Sequence, residues 1–381
     1  MAEPSGSGGV PSPSAGSATS RDSASDTDVV AASLRPPADP AARHAWLTAM
    51  PKAELHLHLD GSLRIETALD LARTRGVDAP RDVEGMRREL IAPMPCRDQA
   101  ELLRAFRLPI ELMQDAEALE RITRELVETK AAEGVRYLEV RWAPALHTAR
   151  GLSPAEVIDA VARGANDAAG EQHVDVRLIC TAMRSHDPRD NVALAEAAVQ
   201  ARPLGMTGWD LAGPEEAFPD PALHAASFAV ARDGGLHVTV HAGEWGGAAQ
   251  VRRALAVGPE RIAHGPSAID DPDLCHELIA RNVSLDVCPT SNWQAGIVAS
   301  IAAHPLARLH RAGVPVTLST DDTTVSDLTL TDEYERALDE IGLTADELWA
   351  IDRAALDHAF VDAATRARLA ATFDAWRATQ A

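Results

Sequence analysis

The sequence has few of the features that fix a protein's class at once. It contains only four cysteines among 381 residues, and no two of them form a CxxC pair. This spacing argues against a thiolate zinc site and a disulfide framework, and it suits a reducing compartment such as the cytosol. The chain also lacks an apolar run near the roughly 20 residues of a membrane span, and Met1–Gly9 lack the basic start and apolar core of a signal peptide. We therefore expect a cytoplasmic protein.

Positive charge is also scarce. Lysine and arginine together number 36, against 57 aspartates and glutamates, and the formal net charge is −21. Such a chain repels phosphate backbones and anionic lipids, so neither nucleic acid nor a membrane surface is expected as a partner. The charge is typical of a solvated surface, and a small molecule is the expected partner. The sequence carries no signal for a particular oligomeric state.

Composition divides the chain into two regions. Residues 1–40 are rich in serine, glycine, alanine, proline and aspartate, and such a segment cannot bury enough apolar surface to order itself. We predict a disordered tail there, followed by a short helix that runs through Trp46 into Pro51. Residues 41–381 are long enough for one barrel with insertions or for two ordinary domains, and the strand pattern favours the single barrel.

Short β-rich runs alternate with helical stretches along this folded region. Most runs are apolar without clean alternation, which is typical of strands covered on both faces. Between them, Ser153 with Pro154 and, later, Thr344 have the pattern of helix N-terminal caps. The eight predicted strands are Ala53–Leu59, Val135–Ala143, Val176–Met183, Met206–Ala212, Leu236–Ala242, Arg261–His264, Val283–Cys288 and Val314–Thr320.

Eight strands alternating with helices predict an α/β protein whose parallel sheet closes into a (β/α)8 TIM barrel, with extra helices at its C-terminal end. The alternative is an open doubly wound sheet, in which a glycine-rich phosphate-binding loop is expected after the first strand. Leu59 is instead followed by "DGSLR". The long segment Arg81–Gln114 is predicted as an inserted helical flap over the barrel mouth, with Leu103, Phe106 and Leu108 offering apolar surface. Packing in the outer helical ring is the alternative for this segment.

The first predicted strand carries the strongest chemical signal, "ELHLHLDGS". Side chains at positions i and i+2 of a strand share a face, so His56 and His58 point together while the intervening leucines point away. If the leucines pack under the helices, both imidazoles point into the barrel, where they are costly unless paired or bound to a metal. A single histidine here would suit an ordinary core position, but the pair indicates a metal site.

Other predicted strands end in groups of the same kind. "HAGEW" supplies His241 and Glu244, "RIAHG" supplies His264, and "STDD" supplies the adjacent Asp321 and Asp322. Two neighbouring aspartates also suit a solvated turn, but all these groups lie at C-terminal strand ends, where barrel enzymes place their chemistry. The Cys/His signature of the cytidine-type deaminases is absent.

Three imidazoles and a carboxylate make a nitrogen and oxygen set that suits zinc, with iron, cobalt or manganese as alternatives. An ion with an open position lowers the pKa of bound water to about 7. We therefore predict a metal-dependent hydrolase with one Zn²⁺ per chain and with Glu244 and His264 as acid and base candidates. The predicted metal ligands are His56, His58, His241 and Asp321.

Together these stretches resemble the adenosine deaminases of the amidohydrolase superfamily. The matching stretches are "PKAELHLHLDGSLR", "WDLAGPE", "HAGE", "RIAHG", "VCPTSN" and "STDD", in family order between about Met50 and Tyr334. The resemblance implies that hydroxide adds to C6 of a purine and ammonia leaves. By residue it implies that Glu244 protonates N1, that His264 orients or deprotonates the metal-bound water, and that the substrate contacts His58, Asp60 (ribose 5′-hydroxyl), Gly213 (N3, through its backbone) and Asp322 (N7).

The expected reaction converts adenosine or 2′-deoxyadenosine into inosine and ammonia. The alternatives are a 5′-modified adenosine such as aminodeoxyfutalosine, free adenine, and a catalytically inactive relative that only binds purines. Adenine-specific relatives tend to carry glutamate in place of Asp60, and an inactive relative would lack a ligand or Glu244. Three departures from the family pattern, Ala263, Pro266 and Thr323, leave the ligands intact and are expected to lie beside the substrate.

Overall fold

The computed structural model describes Met1 and residues 33–380. Its strands form one parallel sheet in which each strand pairs with the next along the chain. Each of the eight overlaps a predicted strand, and the ends agree to within two residues. The strands are β1 Lys52–His58, β2 Val135–Trp142, β3 Asp175–Met183, β4 Met206–Ala212, β5 His237–Ala242, β6 Arg261–His264, β7 Ser284–Val287 and β8 Val316–Leu318.

The sheet closes where β1 meets the segment after β8. Leu57 and Asp321 form a parallel bridge between the two. The Asp321 N–H donates to the His56 carbonyl at 3.1 Å, and the Asp321 carbonyl accepts from the His58 N–H at 2.7 Å. The predicted (β/α)8 TIM barrel is therefore confirmed, and the doubly wound alternative is wrong because the first and last strands are neighbours.

Helices surround the barrel and extend beyond it at the C-terminal end. The predicted caps are confirmed, since Ser153 and Thr344 each form a capping box with a glutamate three residues later. The described helices are α1 Pro40–Ala49, α2 Ile65–Arg75, α3 Val83–Leu90, α4 Gln99–Arg104, α5 Arg107–Leu112, α6 Ala116–Ala132, α7 Pro154–Gln172, α8 Pro188–Gln200, α9 Ala225–Asp233, α10 Ala248–Ala254, α11 Pro272–Arg281, α12 Pro289–Gln294, α13 Leu306–Arg311, α14 Leu330–Asp339, α15 Ala345–His358 and α16 Ala363–Ala378.

Helices α3, α4 and α5 form the predicted insertion between the first two strands. Leu103 and Phe106 line a cavity at the barrel mouth, as expected, and Ile110 joins them. Leu108 does not: it is 1% exposed and packs in the main core. The reason is helical periodicity, because residues four apart share a face while a residue two positions along points to the opposite side.

The barrel interior below the mouth is charged as well as apolar. Arg261 pairs with Asp286 at 3.0 Å and also with Glu139, while Arg141 lies 3.4 Å from Asp210. All five side chains are fully buried. Buried ions are tolerated only when their charges and hydrogen-bonding groups are matched by partners, so this network constrains the strands that carry it.

Part of the predicted N-terminal tail contacts the barrel. Residues 2–32 lie outside the described residues, and the prediction of disorder there stays a prediction. Leu34 is described: it is 6% exposed and packs on the main core, and its N–H donates to Asp346 Oδ1 at 3.0 Å. The residues just before α1 therefore belong to the packed structure.

Two expectations from composition can be compared with the described structure. All four cysteines lie within it as buried free thiols, in line with the expected lack of a disulfide framework. Within the part of the chain that the structure describes, no helix combines the length and the apolar character needed to cross a bilayer.

We expect Leu34→Ala to lower the free energy of unfolding by about 2 kcal/mol, because truncating a buried leucine loses apolar burial and leaves a cavity. Urea unfolding followed by tryptophan fluorescence measures the change. Leu223→Ala is the matched control, since Leu223 is 64% exposed, and it should change stability little. Equal stabilities of the two variants would contradict a packed role for Leu34.

Candidate active site

Four side chains from three distant parts of the sequence converge at the mouth of the barrel. The Nε2 atoms of His56 and His58, at the end of β1, are 3.3 Å apart, and the Nε2 atoms of His58 and His241 are 3.1 Å apart. Asp321 Oδ1 lies 3.1 Å from His56 Nε2 and 3.3 Å from His58 Nε2. The structure thus brings together all four predicted metal ligands.

Four of the donor separations match those of a zinc site. Ligands bound to zinc at about 2.0–2.1 Å in a tetrahedron lie about 3.3–3.4 Å from one another, close to the four separations given above. The ligand atoms of His56, His241 and Asp321 all lie within 4.8 Å of one another. Nitrogen lone pairs this close repel unless a proton or a cation lies between them. The donor set therefore suits a divalent transition metal.

Hydrogen bonds to the other ring nitrogens direct the lone pairs into the cluster. His241 Nδ1 lies 2.9 Å from a carboxylate oxygen of Asp210, and His56 Nδ1 lies 3.4 Å from the Asp286 carbonyl. Both partners can only accept, so the Nδ1 atoms carry the protons and the Nε2 atoms are free to bind an ion. Partners of this kind orient metal-binding histidines.

Asp210 was not among the predicted site residues. The signal was present, because a charged residue interrupts the apolar strand "GWDLAG". Its carboxylate also accepts from the Leu211 N–H at 2.8 Å and pairs with Arg141. Burial alone would raise the pKa of Asp210, but the charge of His241 and their hydrogen bond outweigh it and lower the pKa. Asp210 is therefore held as a carboxylate.

His264, at the end of β6, lies beside the cluster. Its Nε2 is 3.7 Å from Asp321 Oδ2 and 3.5 Å from Glu244 Oε1. His264 can also join a four-residue group with His56, His241 and Asp321, whose ligand atoms lie within 4.8 Å of one another. We favour His58 over His264 as the ligand because His58 Nε2 lies 3.3 Å from Asp321 Oδ1, whereas His264 Nε2 lies 3.7 Å from Asp321 Oδ2. Burial lowers the pKa of His264 to about 4, although the charge of Asp321 opposes the shift.

Two of these residues have an uncommon backbone conformation. Asp321 has φ of 68° and His264 has φ of 69°, in the left-handed region that non-glycine residues seldom adopt. Such conformations persist where the surrounding structure determines them, and they cluster at functional sites. Here the left-handed turn at Asp321 coincides with the bridge that closes the barrel.

Glu244 follows β5 in a loop fixed by a second glutamate. The buried Glu215 carboxylate accepts from three backbone N–H groups, of Gly243 at 2.8 Å and of Trp245 and Gly246 at 3.0 Å each. Burial raises the pKa of Glu244 well above its ordinary value, and the charges of Asp321 and Glu215 raise it further, against the charge of Arg184. Glu215, which the sequence analysis missed, thus holds the loop that presents a buried acid.

Asp60 and Asp322 lie together on another side of the cluster. Their Oδ1 atoms are buried and have no hydrogen-bond partner among the described residues. Burial raises the pKa of Asp60 to about 6 and also raises that of Asp322, which the charge of Asp321 raises further. A Cβ on Gly61 would lie 1.7 Å from Asp322 Oδ1, so glycine is required there. Buried carboxylate oxygens without partners indicate that a polar ligand belongs in the site.

A cavity of about 280 Å³ opens above these groups. Its floor contains the predicted site residues His58, Asp60, Gly213, His241, Glu244, His264, Asp321 and Asp322. Its walls are largely apolar and include Leu102, Leu103, Phe106 and Ile110 from the flap and Trp245 from the Glu244 loop. Among the described residues, no lysine or arginine lines the cavity. The arrangement suits a small, partly aromatic ligand with several hydrogen-bonding groups and little negative charge.

The three departures from the family pattern do not face this cavity. Ala263, Pro266 and Thr323 are not among the described residues that line it, and the expectation that they lie beside the substrate stays a prediction. Ala263 pairs with His241 within the sheet. The Thr323 N–H donates to Ser62 Oγ at 3.2 Å, a bond that proline could not make because it lacks the N–H.

Comparison with known proteins gives a consistent result. A sequence model of the family described as adenosine deaminase matches residues 51–376. The adenosine deaminase of Vibrio vulnificus is 36% identical over 324 residues, which cover 84% of this chain and 97% of that protein. The adenosine deaminase of Clostridium perfringens is 37% identical over 289 residues, which cover 75% and 86% respectively.

Solved structures of similar proteins share the barrel. The adenine deaminase of Arthrobacter aurescens superposes with a TM-score of 0.79 at 27% identity and covers 86% of this chain and 99% of that one. The N6-methyl-AMP deaminase of Arabidopsis thaliana gives 0.77 at 29% identity, covering 87% and 98%. An amidohydrolase from Burkholderia ambifaria with bound Zn gives 0.81 at 27% identity, covering 92% and 98%.

We expect Asp210→Asn to weaken the binding of a divalent transition metal by about 10- to 100-fold, because the charged partner of His241 is lost. Competition with a chelator, followed by elemental analysis, measures the affinity. Asp339→Asn is the matched control, since it changes an exposed carboxylate that pairs with Arg43 at 2.7 Å. Unchanged affinity in Asp210→Asn would contradict the role given to Asp210.

Proposed function

Because the chain belongs to the adenosine deaminase family and is a hydrolytic purine deaminase, we propose that its substrate is adenosine or 2′-deoxyadenosine. The products are then inosine or 2′-deoxyinosine and ammonia. One observation carries this proposal: histidines clustered with an aspartate, a buried acid and two carboxylate oxygens without hydrogen bonds lie at one cavity, which no described lysine or arginine lines. A purine nucleoside has an apolar face for the walls and polar edges for the floor.

A metal cofactor is in keeping with the family, and we propose one zinc ion per chain. Its ligands would be His56, His58, His241 and Asp321, whose nitrogen and oxygen donors suit this ion. When bound, such an ion supplies a water-derived nucleophile at neutral pH. The hydrogen bonds of His241 to Asp210 and of His56 to the Asp286 carbonyl keep the ligand nitrogens unprotonated on the side facing the ion.

The remaining residues act on the purine. Glu244, held as a protonated acid by burial and neighbouring charge, would donate its proton to N1 and thereby make C6 electrophilic. Water then adds to C6 as one of its protons passes to the Glu244 carboxylate. The remaining hydroxyl proton passes to the exocyclic nitrogen, the bond between C6 and that nitrogen breaks, and ammonia leaves. The raised pKa of Asp322 suits a carboxylic acid that donates to N7. The backbone of Gly213 can approach N3 closely because glycine has no side chain.

The ribose end distinguishes the possible substrates. Asp60 Oδ1 is buried without a hydrogen-bond partner among the described residues, and His58 Nδ1 lies 4.0 Å from it. A ribose 5′-hydroxyl would give it a hydrogen-bond donor. A 5′-phosphate would instead meet this carboxylate in a cavity that no described lysine or arginine lines. Free adenine would leave Asp60 unpaired. The Arabidopsis neighbour is named for N6-methyl-AMP and the Arthrobacter neighbour for adenine. They therefore support deamination as the reaction of this chain, but not their own substrates as its substrate.

A second candidate, a 5′-modified adenosine such as aminodeoxyfutalosine, is favoured by one feature. A neighbouring cavity of about 480 Å³ shares Gln99 and Trp245 with the first and is also lined by Trp293 and Arg97. A substituent with an aromatic group would find stacking surfaces there. We place adenosine first because all of its proposed contacts lie in the cavity that contains the acid.

We expect adenosine to exceed 5′-deoxyadenosine by about 10- to 100-fold in kcat/KM, because a buried carboxylate without a partner costs about 1–3 kcal/mol. AMP and adenine should be slower still. A spectrophotometric assay of the four compounds measures the order. Asp60→Ala should reduce the ratio of kcat/KM between adenosine and 5′-deoxyadenosine, since the carboxylate proposed to bind the 5′-hydroxyl is removed. Faster turnover of a bulky 5′-substituted adenosine than of adenosine would replace the first candidate with the second.

The two glutamates of the Glu244 loop should differ in their effect on turnover. Glu244→Gln removes the proton donor and should lower kcat by about 10²–10⁴-fold. Glu215→Gln keeps Glu244 but offers one acceptor oxygen in place of two, so it should lower kcat less while metal content stays the same. Glu216→Gln, at the exposed neighbouring position, is the matched control. Full activity in Glu244→Gln would assign the proton to another residue.

A further inference from the structure

A chain of hydrogen bonds runs from the backbone to His264 on the side away from the cavity. The Leu306 N–H donates to His304 Nδ1 at 3.2 Å, and His304 Nε2 lies 3.1 Å from Asn292 Oδ1. Asn292 Nδ2 then lies 3.1 Å from His264 Nδ1. The three side chains are at most 4% exposed. None of these contacts involves the proposed metal ligands or a substrate contact.

The backbone group at the start of this chain fixes the direction of every bond. An N–H can only donate, so His304 Nδ1 accepts and the neutral His304 carries its proton on Nε2. That proton is donated to Asn292 Oδ1, which places the amide nitrogen of Asn292 toward His264. The amide nitrogen can only donate, so His264 Nδ1 accepts. A neutral His264 then carries its proton on Nε2, the nitrogen that faces the cavity.

The atoms around His264 Nε2 agree with this direction. The ionisable groups nearest to it are Glu244 Oε1 at 3.5 Å and Asp321 Oδ2 at 3.7 Å. The ionised Asp321 can only accept, and the protonated Glu244 keeps one oxygen that accepts. Asp321 Oδ2 also receives the Ser291 hydroxyl at 2.7 Å. A donor at His264 Nε2 is thus matched by the Asp321 carboxylate, whereas a lone pair there would face it.

We propose that Asn292 and His304 are positioning residues that hold His264 with its proton on Nε2. This inference rests on the proposed function, because it concerns how His264 serves the deamination. The resemblance to the family left open whether His264 orients the attacking water or deprotonates it. Held in this way, His264 has no free lone pair toward the cavity, so it orients the water by donating a hydrogen bond and does not act as its base.

The arrangement is also rigid, which a positioning role requires. Asn292 lies in α12, and its carbonyl accepts from the Ile297 N–H at 2.9 Å, which fixes the turn after the helix. His304 directly precedes Pro305 and α13, and its Nδ1 binds the first N–H of that helix. This chain of hydrogen bonds, from the Leu306 N–H through His304 and Asn292 to His264, is called the relay below. It connects β6 to two helices rather than to an exposed loop.

Nitrogen NMR tests the proposal directly. The full chain, loaded with Zn²⁺ and labelled with ¹⁵N-histidine, gives separate signals for protonated and unprotonated ring nitrogens, and His264→Gln identifies the signals of His264. We expect the proton on Nε2 in the parent protein. Asn292→Asp replaces the donor with an acceptor and should move the proton to Nδ1. A proton on Nδ1 in the parent, or an unchanged spectrum in Asn292→Asp, would overturn the proposal.

Kinetics provide the second readout. We expect Asn292→Asp to lower kcat on adenosine by about 10²-fold or more, the loss seen when one oriented donor is removed from an active site, with little change in KM or zinc content. His304→Phe, which cannot donate to Asn292, should also lower kcat, and His304→Gln, whose amide can donate, should recover most of that loss. Equal rates in His304→Phe and His304→Gln would argue against the relay.

The chain offers a matched control. Asn191 Nδ2 lies 2.9 Å from Nδ1 of the buried His224, the same contact in a pair that does not face the site. Asn191→Asp should lower the stability but leave kcat near that of the parent. This control distinguishes the effect of a buried charge on kcat from the effect of losing the relay. If the protein deaminates a purine other than adenosine, the proposed substrate fails while the NMR result on His264 still decides the relay.

Discussion

Asp321 joins the last strand of the barrel to the first, and the rest of the site depends on that junction. Its backbone bonds to His56 and His58 close the sheet, and its side chain lies within 3.3 Å of the Nε2 atoms of the same two histidines. Closure of the barrel and assembly of the ligand cluster are therefore one structural event. The left-handed backbone at Asp321 is tolerated because both neighbouring strands determine it.

The cluster is supported from below by charged groups inside the barrel. Asp210 connects His241 to Arg141, and Arg141 in turn donates to the Leu55 carbonyl of β1 at 2.8 Å. The network thus links β5, β4, β2 and β1 under the ligands. Burying these charges is costly, and the cost is offset only while each has its partner. Charges matched in this way hold the side chains of the cluster from below.

The residues above the cluster form two groups: the polar side chains next to it and the apolar walls of the cavity. Glu244 and His264 line the cavity, and each is held from behind. The Glu215 carboxylate binds the loop of Glu244, and Asn292 contacts His264. The walls come instead from the α3–α5 insertion and are apolar. This insertion lies outside the ring of strands, so its apolar surface is separate along the chain from the strand ends that carry the cluster.

The sequence alone determined the features that depend on local periodicity. Alternation along β1 placed His56 and His58 on one face, and the eight apolar runs specified the barrel. Tertiary structure alone decided which buried polar residues support the site. Asp210, Glu215, Asn292 and His304 carry no periodic signal, and their contacts with His241, the Glu244 loop, His264 and Asn292 span 12 to 31 positions. It also decided that Leu108 faces the core and that Thr323 lies outside the cavity. A hydrogen bond is specified by direction and distance in space, and a one-dimensional pattern contains neither.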